Sequence, residues 1–497
     1  MDEVIAEAGH RVNEKKKLLS HASLVLLATG IVQGSQLVLR LLIGDRWGDL
    51  DLGLYSMAIT LGFFFTTIFG LGIPQGLVKF VAENAGNQHS QRNFISTALF
   101  SSLFLGVLTA SMLFPFAGPL GRLFKMPDLP GLIRIALVGL PFFFCFQTGL
   151  GALNGLRRMR HYSFQNSFNS IAMLSLTILA MLHGLPIRYA VLMTVVAAIL
   201  SSFWTLGLLR DYFVFPAWPH FRSIFGTLTR FSIKLMAANS VNLVNTRVDL
   251  LLVGYFLGET AVGHYSITTM LARVLILIGG AIQTVTYPVT AEYFGANKRE
   301  EAARLIQKSA YFSFFILSVL GILLVFYAEQ LIRAYNLDFL PAVMPTKILT
   351  ACVIFYGAAG SIGGSFASFG RPKVALKLSA LSAATNVVLN MILIPALGLE
   401  GAALATGLSL FVVALLYVPV LRRVMDVHFE LGSFGKILAF ALLLYALLAT
   451  LSMVINTWVA AALVCVISAM VFLRVFAPAG SRRELSIRSL FALRNQH

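Results

Sequence analysis

Charge is what this 497-residue chain has least of: Asp, Glu, Lys and Arg together make up 12% of it, against roughly 25% in soluble domains. That shortage excludes an ordinary water-soluble enzyme. Acids are scarcest, 21 against 38 Lys plus Arg, for a formal net charge of +17. In a soluble protein such an excess would suggest nucleic-acid binding. In an apolar chain cations instead gather in the loops on one side of a membrane or line a cavity for an anion, so no nucleic-acid partner is implied. Cysteine is nearly absent. Cys145, Cys352 and Cys465 each lie inside an apolar run, which leaves no basis for a disulfide framework or a metal site. The chain lacks a phosphate-binding P-loop, a Gly-rich dinucleotide fingerprint and a His/Glu zinc pair. Neither an ATPase nor a cofactor is implied, and with His161 and His183 standing alone the reading is not an enzyme.

Apolar residues are abundant, at 58% of the chain, enough for about fourteen helical spans of roughly 20 residues each. Runs of this length indicate helices, because outer-membrane strands would show about ten residues of alternation. The run that follows the polar first twenty residues is too long and too punctuated by Gln and Arg for a cleaved signal peptide. It reads as a retained first span, near 20 to 43. Others lie near 53 to 82, 231 to 256, 261 to 290, 377 to 396, 400 to 420, 437 to 456 and 459 to 476. With the N-terminus in the cytoplasm, Lys15, Lys16 and Lys17 and most other cations fall on cytoplasmic segments, as the positive-inside bias requires. An even count returns the C-terminus to the same side. The expectation is an all-α, multi-pass protein of the cytoplasmic (inner) membrane.

The sequence also repeats. Leu41-Leu42-Ile43-Gly44, Gly48, Gly53, Tyr55 and Ser56 recur as Leu251-Leu252-Val253-Gly254, Gly258, Gly263, Tyr265 and Ser266, at a constant offset of 210 residues. Both copies enter from the same side, so they are parallel repeats related by an axis along the membrane normal. The expected organisation is a six-helix lobe over 1 to 215, a second over 220 to 430, two further helices within 431 to 478, and a basic cytoplasmic tail over 479 to 497.

Charges deep in a bilayer are costly and normally face a bundle interior or a wet cavity. Arg40, Lys79, Lys234, Arg247 and Arg273 are candidates of positive sign, and Asp249 alone is negative. Structural ion pairing would balance the signs; this excess suggests an anionic cargo, the alternative for Arg40, Lys79 and Lys234, close to span ends, being to snorkel to phosphate headgroups. Asn239, Asn242, Thr246 and Asp249, with Asn245 alongside, share one face of the seventh span, and Gln33, Gln36 and Arg40 form a similar stripe on the first. Asp249 is the candidate for binding H⁺ or Na⁺ or for pairing with a cation. Arg247 projects about 200° away from it around the helix, leaving Arg273 as its nearest alternative partner. Asn386 and Asn390, one turn apart, suit interhelical hydrogen bonding. Phe63-Phe64-Phe65 and Phe142-Phe143-Phe144 read as lipid-facing or packing residues.

The stretch from Gly44 through Asp51-Leu52-Gly53-Leu54-Tyr55-Ser56 to Gly70-Leu71-Gly72-Ile73-Pro74 resembles the first hairpin of the polysaccharide-biosynthesis flippases, the Wzx-like branch of the multidrug/oligosaccharidyl-lipid/polysaccharide exporter superfamily. Val248-Asp249-Leu250, Ala261-Val262-Gly263-His264-Tyr265-Ser266, Gly370-Arg371-Pro372-Lys373 and the turn from Pro395 to Ala403 are similar to the same family. The resemblance covers roughly residues 20 to 425. It implies a two-lobed exporter that carries an undecaprenyl-pyrophosphate-linked oligosaccharide across the membrane by alternating access. Arg40, Arg247 and Arg273 would then contact pyrophosphate, with Lys79 and Lys234 as further cavity cations and Asn242 and Asn245 among the sugar contacts. The membrane lipids would hold the polyprenyl tail, beside the last two helices. A lipid II flippase and a cation-coupled multidrug antiporter are the alternatives; the antiporter would favour acidic residues in its cavity.

Overall fold

The computed structural model describes residues 2–215 and 218–476, with side chains from Leu24 to Arg474 apart from residues 216 and 217. The basic tail at 479 to 497 and the side chains of Lys15, Lys16 and Lys17 lie outside the described residues. Those described are helical throughout, with no strand. In chain order the helices are α1 (Asp2–Phe69), α2 (Ile73–Glu83), α3 (Gln88–Leu113), α4 (Ala117–Phe124), α5 (Leu129–Gly155), α6 (Met159–Leu182), α7 (Arg188–Leu208) and α8 (Trp218–Leu257). They continue as α9 (Glu259–Gly295), α10 (Arg299–Tyr335), α11 (Val343–Gly363), α12 (Ser365–Ser368), α13 (Pro372–Met425), α14 (Leu431–Val454) and α15 (Thr457–Phe476).

Two helices are too long to be single crossings. At 1.5 Å per residue, Leu24–Phe69 of α1 would span about 69 Å, more than twice a hydrocarbon core of roughly 30 Å. The helix breaks at Gly48, whose φ of 85° and ψ of −177° fall in a region open essentially only to glycine. Direction reverses there. A methyl group on Gly44 would lie 3.2 Å from Leu52 Cδ2, although eight residues of straight helix would separate the two by about 12 Å. The α8/α9 junction at Gly258 (φ 86°) does the same, with a Gly254 methyl 3.2 Å from Val262 Cγ2. In α13 the break is at Gly398 (φ 62°, ψ −134°).

Ten helices among the described residues are long and apolar enough to cross a membrane. Counting both halves of α1 and α13, and adding the long but more polar α6 and α8, returns about fourteen crossings, as expected from the apolar runs. The second span departs from expectation in being discontinuous. Leu71 (φ 51°) and Gly72 (φ 67°) are both left-handed, and Pro74 in the first turn of α2 cannot donate to a continuing helix.

The chain forms two compact units. The first comprises the residues up to Leu271, Leu331–Pro345 and Leu376–Ser409; the second comprises Ala272–Gln330, Thr346–Ala375 and the residues from Leu410 onward. Within the first unit the sequence repeat becomes a spatial one. A methyl group on Gly53 would overlap the Glu259 carbonyl oxygen, and one on Gly263 would overlap that of Asp49. These contacts are the same pair exchanged by the 210-residue offset. Ser266 Oγ lies 2.9 Å from Ser56 Oγ, so the two copies of one position touch each other, as an approximate two-fold axis requires. Around them Leu39, Ile43, Leu52, Met57, Val253, Val262 and Tyr265 are buried in one cluster. The core of the second unit joins Phe315 and Tyr327 of α10 to Leu444, Leu448 and Val464 of α14 and α15.

Candidate functional site

Five helices of the first unit, α1, α5, α6, α7 and α8, enclose a cavity of about 200 Å³. Gln36 and Arg40 reach it from one turn of the first half of α1, and Tyr55, Phe63 and Thr66 from the second half. Gln147 comes from α5, Asn166 and Asn169 from α6, Thr194 from α7 and Arg247 from α8. Small residues allow these helices to approach closely: Gly139 and Gly149 of α5 leave no room for a methyl group beside Val195 and Thr205 of α7.

A second cavity, about 350 Å³, adjoins the first and shares Phe63, Thr66, Phe143, Gln147 and Arg247 with it. Asn239, Asn242 and Thr246 of α8, Gln75 of α2, Thr148 of α5, Thr67 of α1 and Ser102 of α3 complete its polar lining. Arg247 stands at the junction, its guanidinium carbon 4.6 Å from the centroid of the Phe63 ring. Such stacking holds a planar cation on an apolar wall. Neither cavity is lined by Asp or Glu among the described residues, so the site is cationic and rich in amides.

Asp249 belongs to a different cluster in the same unit. Its carboxylate is buried and accepts hydrogen bonds from Tyr265 Oη at 3.0 Å, Thr406 Oγ1 at 3.4 Å and the Leu250 N–H at 2.9 Å. Asn386 extends the network by donating to Thr406 Oγ1 and Ser409 Oγ, both at 3.2 Å. Asn390 donates to the Asn386 carbonyl at 2.8 Å, and its own side-chain oxygen is buried with no partner among the described residues. The carboxylate is thus held by neutral donors contributed from three helices, α8, α9 and α13.

The remaining sequence candidates are dispersed. Arg273 belongs to the second unit. Lys79 is 3.6 Å from Glu83 at an exposed end of α2 and lies over the Phe231 ring at 4.2 Å, while Lys234 is exposed on α8. Asn242 lines the larger cavity. Asn245 donates to the Ser379 carbonyl at 2.8 Å, tying α8 to α13. Phe63 and Phe143, which read as lipid-facing or packing residues, line both cavities.

Sequence reasoning passed over Tyr55, Gln147, Asn166, Asn169 and Thr194. Asn166, Asn169 and Ser170 follow a helical spacing that could have revealed the α6 face. Gln147 offered no such signal, since no polar residue lies three or four positions from it in α5.

The family described as polysaccharide biosynthesis protein matches residues 18–294. The chain belongs to this family. A second family, MatE, matches residues 235–392. The chain is 23% identical over 301 residues to a probable low-salt glycan biosynthesis flippase of Haloferax volcanii, a match covering 58% of this chain and 61% of that relative. It is 21% identical over 259 residues to the succinoglycan biosynthesis transport protein ExoT of Rhizobium meliloti, covering 52% of this chain and 50% of that one. It thus spans about three fifths and one half of these relatives' lengths. The lipid II flippase MurJ, in an inward closed conformation, superposes with a TM-score of 0.76 at 19% identity, covering 91% of this chain and 99% of its own. This multi-pass membrane protein therefore has the fold seen in MurJ and in MATE family transporters.

Proposed function

We propose that this protein is a flippase that moves a polyprenyl-pyrophosphate-linked oligosaccharide from the cytoplasmic to the outer leaflet of the cytoplasmic membrane by alternating access, with both termini cytoplasmic. The reading rests chiefly on one observation: Arg40 and Arg247 line an amide-rich cavity among apolar helices, with no carboxylate among its lining residues. A guanidinium in a low-dielectric surround binds phosphate oxygens through bidentate, charge-assisted hydrogen bonds. A cationic drug would be repelled there, which argues against the antiporter alternative. The names of the glycan-biosynthesis relatives point the same way.

The two parallel copies form the two lobes of this transporter and rock about the axis at Ser56 and Ser266. The apolar groove of the second unit, about 1020 Å³ and lined by Phe312, Phe315, Phe440 and Phe472 with Lys308 and Lys436, suits a polyprenyl tail near an anionic headgroup. Asp249 is the ion-coupling residue. A buried carboxylate surrounded by Tyr, Thr and Asn oxygens can take up H⁺ or Na⁺, and the exchange would change the net charge of the first unit. Arg273 is a further pyrophosphate contact. Lys79 and Lys234 line neither cavity.

The test is flux of a fluorescent lipid-linked oligosaccharide in liposomes reconstituted with purified protein. Arg40→Ala and Arg247→Ala, each folded by its melting profile, should reduce flux at least tenfold. Wild-type flux in both variants would refute the assignment.

A further inference from the structure

The seam between α8 and the first half of α13 carries polar atoms that the Asp249 network does not use. On α13, Ser379, Ser382, Asn386 and Asn390 fall within about 80° of arc on a helix of 3.6 residues per turn, and Ser382, Asn386 and Asn390 are buried. On α8, Asn245 lies one turn before Asp249 on the same side. Its donation to the Ser379 carbonyl at 2.8 Å fixes the register of the two helices. Ser382 therefore falls between that contact and the network of Asn386, Thr406 and Asp249. Asn245 Oδ1 and Ser382 Oγ are nevertheless both buried with no hydrogen-bond partner among the described residues, as is Asn390 Oδ1 one turn beyond Asn386.

An unpaired buried oxygen costs about 1–3 kcal/mol. Packed membrane helices normally remove such oxygens by bonding them across the seam, as Asn386 does to Ser409. In a protein interior, water is the group that satisfies isolated oxygens, given two to four polar partners. Asn245 Oδ1, Ser382 Oγ and the Asp249 carboxylate supply partners at intervals along the seam. Ser379 and Asn386 are seven residues apart, a rise of about 10 Å, which a file of about four waters spaced about 2.8 Å apart covers. Such a file conducts protons, because each water can accept one and donate another. A metal cation needs several oxygens around it at once, and the seam presents them singly. Lys234 of α8 and Arg371, Lys373 and Lys377 of α13 are exposed. Among the described residues, the one titratable side chain bonded to Asp249 is Tyr265.

We infer that the seam between α8 and α13 is a proton path joining Asp249 to the cytoplasm. The protonated Asp249 carboxyl gives its proton to the nearest water, each water passes one to the next, and one proton reaches the cytoplasm as the carboxylate is restored. Asn245 and Ser382 hold the waters and are positioning residues. The inference rests on the flippase reading above, and it assigns H⁺ rather than Na⁺ to the coupling residue. It also gives that ion a route the cargo does not share, since Asn245, Ser382 and Asn386 line neither of the two cavities described above.

Ser382→Val and Ser382→Thr test this, because the two new side chains have nearly equal volume and differ in the hydroxyl. Cargo flux is measured in liposomes at uniform pH and with the cytoplasmic face made alkaline, at constant membrane potential and without Na⁺. The pH gradient should stimulate wild-type and Ser382→Thr flux alike. It should stimulate Ser382→Val at least about fivefold less, the worth of one hydrogen bond, while flux at uniform pH stays the same in all three. A Na⁺ gradient at uniform pH should leave wild-type flux unchanged, a measurement that needs neither variant to fold. Equal stimulation of the two variants, whether full or reduced, or wild-type flux driven by Na⁺ and not by the pH gradient, would overturn the path and leave the flippase reading standing. Absence of wild-type flux under every condition would remove both.

Discussion

The contact at Gly53 and Gly263 permits a quantitative test of alternating access. In Gly263→Ala the new methyl group would overlap the Asp49 carbonyl oxygen. Backbone there cannot yield as a side-chain tip can, because the neighbouring Gly48 hairpin fixes it. Overpacking of this kind costs about 1–3 kcal/mol. The gain in helix propensity from Gly to Ala applies equally when the two hairpins are packed and when they have parted, so it cancels. The packed arrangement should therefore lose population about 5- to 150-fold. Ser56→Cys with Ser266→Cys, in a chain whose three native cysteines are replaced, reports that population, since the two hydroxyl oxygens are only 2.9 Å apart. Mild oxidation should cross-link the pair rapidly in the parent and several-fold more slowly once Gly263→Ala is added. Gly86→Ala is the control, because nothing lies within 4 Å of the added carbon. Unchanged cross-linking in Gly263→Ala would refute the view that this close approach holds the packed state together.

Other perturbations have separate readouts. Asp249→Asn should abolish stimulation of flux by an imposed H⁺ or Na⁺ gradient while keeping cargo binding in detergent, and flux with unaltered gradient dependence would remove Asp249 from coupling. Tyr265→Phe withdraws one donor from the same buried carboxylate and should cost about 1–3 kcal/mol, read as a lower melting temperature. His264, buried against the edge of Phe339, meets Asp49 at 2.9 Å. His264→Leu should destabilise the protein by stranding Asp49, and adding Asp49→Leu should recover much of the loss, whereas additive losses would deny the pair any coupling. Lys79→Ala should change melting and flux little, because its pairing with Glu83 is exposed and worth at most about 1 kcal/mol.

Local rules located several of these features in the sequence. Gly48 and Gly258 recur with their neighbours at one spacing, and only a residue tolerant of positive φ suits those hairpins, so the repeat was visible as letters before it was visible as a two-fold axis. Gln36 and Arg40 stood out because polar residues one turn apart in an apolar run have few explanations. Residues that meet only through tertiary packing did not stand out. Tyr265 reaches Asp249 from the next helix, and Thr406 reaches it across 157 residues, a pairing no helical period encodes. Phe63 was legible as apolar but not as the wall of a cavity, since lipid and the underside of a guanidinium ask the same of a side chain. The broken second span was legible in Gly70, Gly72 and Pro74, yet hydropathy alone joined its halves.

The polarity of α6 has a consequence for how the protein is made. Its amides keep it out of the set of helices apolar enough to cross a membrane, so the bilayer would not readily accept it by itself. Two of those amides bond to α7, where Gln165 donates to the Ser201 carbonyl and Asn169 accepts from Ser201 Oγ. During synthesis α6 must therefore wait at the insertion machinery until α7 emerges and the two enter lipid together. Substitutions in α7 that weaken this pairing would be expected to appear first as failed membrane integration, before any effect on transport could be measured.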